Sequence, residues 1–62
     1  MPYVHVHLLE GRTEEQKEKL AKAITEAFVQ ITGVSKDAVW VEFSDMAKFN
    51  FATGGVLRSK TK

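Results

Sequence analysis

The 62-residue chain carries nine Lys and Arg against eight Asp and Glu, a formal charge of +1, and no cysteine. A domain this short buries only about 60% of the surface it exposes when unfolded; without cysteine a disulfide is excluded, two histidines are too few for a usual structural metal site, and association with further subunits is the stabiliser that remains. Charges of both signs are interleaved up to the basic residues 58–62, which excludes a continuous nucleic-acid stripe, and no apolar run approaches the ~20 residues of a membrane span or the core of a secretion signal, so a single cytoplasmic domain over residues 1–62 is expected, with no nucleic-acid or membrane partner.

The chain opens Met1-Pro2, and removal of Met1 would leave proline's secondary amine at the start of the protein. Residues 3–9 are rich in β-branched, aromatic and histidine side chains without a helical period, which predicts a strand with Val4, Val6 and Leu8 on one face and Tyr3, His5, His7 and Leu9 on the other. Gly11 breaks it. Thr13, with Gln16 three residues on, is a capping-box signal, and Glu14 and Glu15 suit the positive end of the helix dipole. Leu20, Ile24, Ala27, Phe28 and Ile31 then recur at spacings of three and four, while Lys17, Glu18, Lys22, Glu26 and Gln30 fall largely elsewhere, giving a helix of about five turns that ends at Gly33.

Residues 39–44 alternate again, with Val39, Val41 and Phe43 opposite Trp40 and Glu42, and predict a second strand. Strand, long helix, strand is a βαβ unit whose two strands run parallel, so the fold class is α+β: one helix covers one sheet face, and the face bearing Tyr3, His5, His7, Trp40 and Glu42 needs a partner subunit. Gly54-Gly55, flanked by apolar residues, predicts a short C-terminal hairpin, and residues 58–62 are expected to fray unless docked.

Pro2 is the leading candidate for chemistry. An α-amino group has a reference pKa of about 7.7 to 8.0, and an apolar pocket or a nearby cation lowers it, which yields a neutral base at neutral pH. The commoner role of such a proline is to protect a terminus or start an edge strand. Arg12 in the turn before the helix offers a planar fork that matches a carboxylate, although an isolated turn arginine is more often only solvated. His5 and His7 share a face without a third ligand at a recognisable spacing, so no metal or other cofactor is expected, and Glu10 is expected to be structural.

The proline start, the run Leu8-Leu9-Glu10-Gly11-Arg12-Thr13-Glu14-Glu15-Gln16-Lys17, the chain length and the closing segment Met46-Ala47-Lys48-Phe49-Asn50-Phe51-Ala52-Thr53-Gly54-Gly55 together resemble the 4-oxalocrotonate tautomerase family over nearly the whole chain. The resemblance implies a keto-enol isomerase acting on a small 2-hydroxy-dienoate or the enol of a 2-oxo acid. In that family pattern Pro2 is the catalytic base, Arg12 comes from a neighbouring subunit to hold a substrate carboxylate, and Phe51 walls the proline pocket. It also implies dimers with four-stranded sheets, three of which form a hexamer. At Trp40 the chain departs from the family's usual arginine, which leaves an apolar pocket for an aryl or monoacid substrate, help from Arg58, or a packing role as open readings. Sister activities on this scaffold, dehalogenation by hydration and decarboxylation, and a non-catalytic oligomer are the alternative functions.

Overall fold

Residues 2–61 are described by the computed structural model. The expectation that Met1 is removed concerns a position outside them. Strand β1 (Tyr3–Leu9) and strand β2 (Trp40–Met46) pair in parallel over their whole length, from Tyr3 opposite Trp40 to Leu9 opposite Met46, with helix α1 (Glu14–Thr32) making the crossover. This is the βαβ unit that the alternating and helical periods predict.

The ends of α1 follow from local chemistry. Thr13 Oγ1 accepts from the Gln16 N–H at 3.1 Å while Gln16 Oε1 accepts from the Thr13 N–H at 2.9 Å, a complete capping box. Gly33 ends the helix in the left-handed region at φ 79°, its N–H donating to the Val29 carbonyl at 3.0 Å.

The apolar stripe of α1 is wider than the sheet it packs on. Ile24 and Phe28 are half-buried with Ala21, Thr25 and Val29, whereas Leu20, Ala27 and Ile31 form an exposed flank in which Ile31 is 82% exposed. Lys17, expected among the solvent-facing polar residues, is instead half-buried: its Nζ donates to Asp45 Oδ2 at 2.8 Å, so its aliphatic stem lies along the helix–sheet seam and its charge meets a partner on β2.

The second strand is displaced from the expected residues 39–44. Val39 closes a 3₁₀ turn (Lys36–Ala38) that Ser35 caps, and the strand continues through Ser44, Asp45 and Met46 because the β1 ladder opposite supplies their partners. Past it lie a second 3₁₀ turn (Lys48–Asn50) and the expected hairpin, strands β3 (Ala52–Thr53) and β4 (Val56–Leu57). Gly54 and Gly55, at φ 59° and 81°, make the two-residue turn with both residues in the left-handed region that suits tight hairpins. The basic tail begins with a third 3₁₀ turn (Arg58–Lys60), in which the Arg58 carbonyl accepts from both the N–H and the hydroxyl of Thr61.

Among the described residues no side chain is fully enclosed; Val4, Val6, Leu8, Val41 and Phe43 on the helix-facing side are only half-buried. The radius of gyration is 14.8 Å and the extents are 43 × 23 × 14 Å, whereas a compact domain of this length has a radius of roughly 11 Å. The other sheet face, bearing Tyr3, His5, His7, Trp40 and Glu42, is open as expected. Thr13→Ala should remove the reciprocal cap and lower unfolding free energy by ~1 kcal/mol, measured by urea denaturation at fixed protein concentration; an unchanged midpoint would mean that the cap is not a source of stability.

Candidate active site

Pro2 stands at the head of the β1–β2 ladder. Its carbonyl accepts from the Trp40 backbone N–H at 2.9 Å, which ties the residue to the start of the ladder although it lies outside the strand. Proline supplies no N–H, so it suits a ladder end where the only group asked for is an acceptor. The first register pair, Tyr3 and Trp40, projects to the open face with ring centroids 6.4 Å apart at 80°, an edge-to-face contact.

Behind that aromatic pair lies a polar cluster set by the same register. The Tyr3 hydroxyl donates to Glu42 Oε1, His5 Nε2 is 2.6 Å from Ser44 Oγ and 3.9 Å from Glu42 Oε2, and the His5 and His7 rings stack at 4.1 Å. The Tyr3 phenol is pushed above its ordinary pKa, first by the hydrogen bond to Glu42, then by desolvation and by the carboxylate's charge. Among the described residues no group of three His, Asp or Glu side chains converges to hold a metal.

Arg12 lies at the other end of the ladder. It is exposed, between Gly11 at φ 115° and the Thr13 cap, in the turn that follows β1. Glu10 is structural: its N–H donates to the Met46 carbonyl at 2.9 Å and its Oε2 accepts from the Lys48 N–H at 3.2 Å, tying the end of β1 to the turn that leads into Phe51. Phe51 is half-buried, and its carbonyl accepts from the Arg58 N–H at 2.8 Å, closing the base of the hairpin.

Within one protomer the four candidate residues therefore fall into two halves. Pro2 is bonded through its carbonyl to Trp40 at the first rung, whereas Arg12 and Phe51 follow the last, and a strand such as β1 spans about 20 Å. A concavity of about 660 Å³ between α1 and the Lys36 turn, lined by Ala21, Lys22, Thr25, Glu26, Val29, Gln30 and Lys36, includes none of the four. Sequence reasoning put Tyr3 and Glu42 on one face but missed that they bond to each other. The ladder register was the information needed: Tyr3 pairs with Trp40 and His5 with Glu42, two rungs apart and so on the same face.

The sequence model of the tautomerase enzyme family matches residues 2–60. A probable tautomerase from Streptococcus pneumoniae serotype 4 is 47% identical over 60 residues, covering 97% of this chain and 100% of the relative. The 2-hydroxymuconate tautomerase of Bacillus subtilis is 46% identical over 55 residues, 89% of each chain. Among solved structures, YwhB, a homologue of 4-oxalocrotonate tautomerase, superposes with a TM-score of 0.92 at 41% identity over 98% of this chain and 100% of that one. A helix-crossed parallel strand pair with proline at its head thus defines the class, a tautomerase-type isomerase. The chain belongs to the tautomerase family.

Tyr3 is the only tyrosine, so its ionisation can be followed by ultraviolet absorbance. The raised folded-state pKa means that the neutral phenol is favoured by folding and that this stabilisation is lost as pH rises through the folded value. Glu42→Gln should move the titration midpoint down towards about 10; a midpoint that stays above the ordinary value would show that Glu42 is not its cause.

Proposed function

We propose that this enzyme ketonises a small 2-hydroxy-dienoate or the enol of a 2-oxo acid, with the Pro2 amine, freed by removal of Met1, as general base. The observation that carries the reading is the Trp40 N–H bond to the Pro2 carbonyl, which fixes the proline at the open head of the ladder. The rigid ring holds the lone pair in one direction, so little orientational freedom is lost when substrate binds.

The chemistry balances without a cofactor. Neutral Pro2 nitrogen takes the enol O–H proton, the oxygen's electron pair forms the C=O bond, and the former C=C pair moves along the conjugated chain. The protonated amine then returns its proton to the carbon at the end of that shift and is neutral again. An amine with a pKa near the working pH can both accept and release the proton, which is the condition for efficient general acid–base catalysis.

Arg12 binds a substrate carboxylate through its guanidinium, and Phe51 keeps the proline pocket dry. Because these residues follow the far end of the ladder, a neighbouring subunit supplies them to each Pro2. An oligomer is supported independently by the open sheet face and the absence of an enclosed side chain among the described residues. A 4-oxalocrotonate tautomerase from Chloroflexus aurantiacus, 26% identical with a TM-score of 0.91, is a heterohexamer; for this chain we favour a homohexamer built as a trimer of dimers.

Retention of Met1 turns the Pro2 nitrogen into an amide and should lower kcat by about 10²- to 10⁴-fold for 2-hydroxymuconate or enol-phenylpyruvate, with the oligomer intact. Full activity of protein whose mass includes Met1 would reject Pro2 as the base. Arg12→Ala should lower kcat/KM by about 10- to 100-fold, the loss of a charge-assisted bond, appearing in KM if Arg12 only binds and in kcat if it stabilises developing charge. Unchanged kinetics would remove Arg12 from the site.

A further inference from the structure

The end of the ladder that carries Arg12 and the approach to Phe51 is held by one residue with two attachments. Glu10 gives its N–H to the Met46 carbonyl at 2.9 Å, and its Oε2 accepts from the Lys48 backbone N–H at 3.2 Å. Lys48 begins the 3₁₀ turn in which the Asn50 N–H returns to the Ala47 carbonyl at 2.8 Å, and Phe51 closes that turn. On the other side Glu10 is followed by Gly11, at φ 115°, and then by Arg12. Glu10 thus stands two residues before Arg12 and holds a turn three residues before Phe51.

The first N–H groups of a helical turn have no partner within it and are ordinarily met by the side chain of the preceding residue. Thr13 does this for α1 and Ser35 for the Lys36 turn. Ala47 has no side-chain bond to give, and the acceptor for Lys48 comes instead from 38 residues away in the chain. Neither Glu10 nor Arg12 takes part in an ion pair among the described residues, so the carboxylate serves the turn and not its neighbouring guanidinium. Beyond Arg12, Lys17 is bonded to Asp45, so the segment bearing the arginine is fastened to the end of β2 on both sides.

We infer that Glu10 is a positioning residue for the reaction: by capping the Lys48–Asn50 turn from the end of β1, it fixes Phe51 relative to Arg12, so that both reach Pro2 as one unit. This role rests on the reading that places Arg12 and Phe51 in the site. Glu10 itself touches no substrate. A misplacement of about 1 Å in a site can cost on the order of 100-fold in rate, so a single remote bond has kinetic weight. What the bond requires is an acceptor oxygen, which an amide supplies as well as a carboxylate.

The test uses protein that starts at Pro2, with 2-hydroxymuconate as substrate and the oligomer verified by light scattering. Glu10→Ala should lower kcat/KM about tenfold, whereas Glu10→Gln should recover it to within about threefold of wild type. Lys48→Pro breaks the same bond from the donor side, because proline lacks the N–H yet suits the first position of a turn. It should cost about as much as Glu10→Ala, and the two together little more than either alone. Equal losses for the alanine and glutamine variants, or losses that add in the double variant, overturn the inference.

A second readout needs no turnover. Hydrogen exchange at the Lys48 amide, followed by NMR, should accelerate about tenfold in Glu10→Ala and stay near wild type in Glu10→Gln. Unchanged exchange in Glu10→Ala also overturns the inference. Losses of activity on Arg12→Ala and Phe51→Ala with none on Glu10→Ala would reject the positioning role alone. No loss on any of the three would reject the reading of the site, and this role with it.

Discussion

The parallel ladder between β1 and β2 is the constraint from which the rest of the molecule follows. Its seven rungs put Pro2 beside Trp40 at one end and deliver both Arg12 and the approach to Phe51 at the other. A parallel pair needs a long crossover, which α1 provides, and that crossover covers one sheet face and leaves its opposite open. The open face and the separation of Pro2 from Arg12 along the ladder are thus two results of one topology.

Local chemistry secures the ladder. The capping box starts α1 directly after the Arg12 turn, and Gly33 stops it before the 3₁₀ turn that sets up the first rung. Lys17 and Asp45 fasten the first turn and a half of the helix to the end of β2. Glu10 joins the same end of the sheet to the turn before Phe51. Charged residues therefore join the helix and the following turn to the sheet at the Arg12 end, whereas at the Pro2 end the aromatic pair, a backbone bond and the Tyr3 bond to Glu42 link β1 to β2.

Most of this architecture is legible in the sequence because its signals are short-range. Alternation marks β1, the Thr13 to Gln16 spacing marks the helix start, and paired glycines mark the hairpin. The limits of β2 are less legible, since Ser44 and Asp45 have weak strand preference and are held extended by pairing with His7 and Leu8. Lys17 is misplaced by periodicity alone because its partner lies 28 residues away. Pro2, Arg12, Trp40 and Phe51 stand out by residue type and family pattern, yet the bond between Tyr3 and Glu42 depends on a cross-strand register that a single strand's pattern does not contain.

A chain that encloses none of its described side chains has placed its folding free energy outside itself. The half-buried valines of the helix-facing side and the exposed flank of α1 are surfaces awaiting closure, and whatever copy closes them is also a reagent in the folding equilibrium. Dilution then acts on such a protein as a denaturant does, and its melting temperature becomes a function of its own concentration. For a protein that folds by association, abundance in the cell governs how much of it is folded.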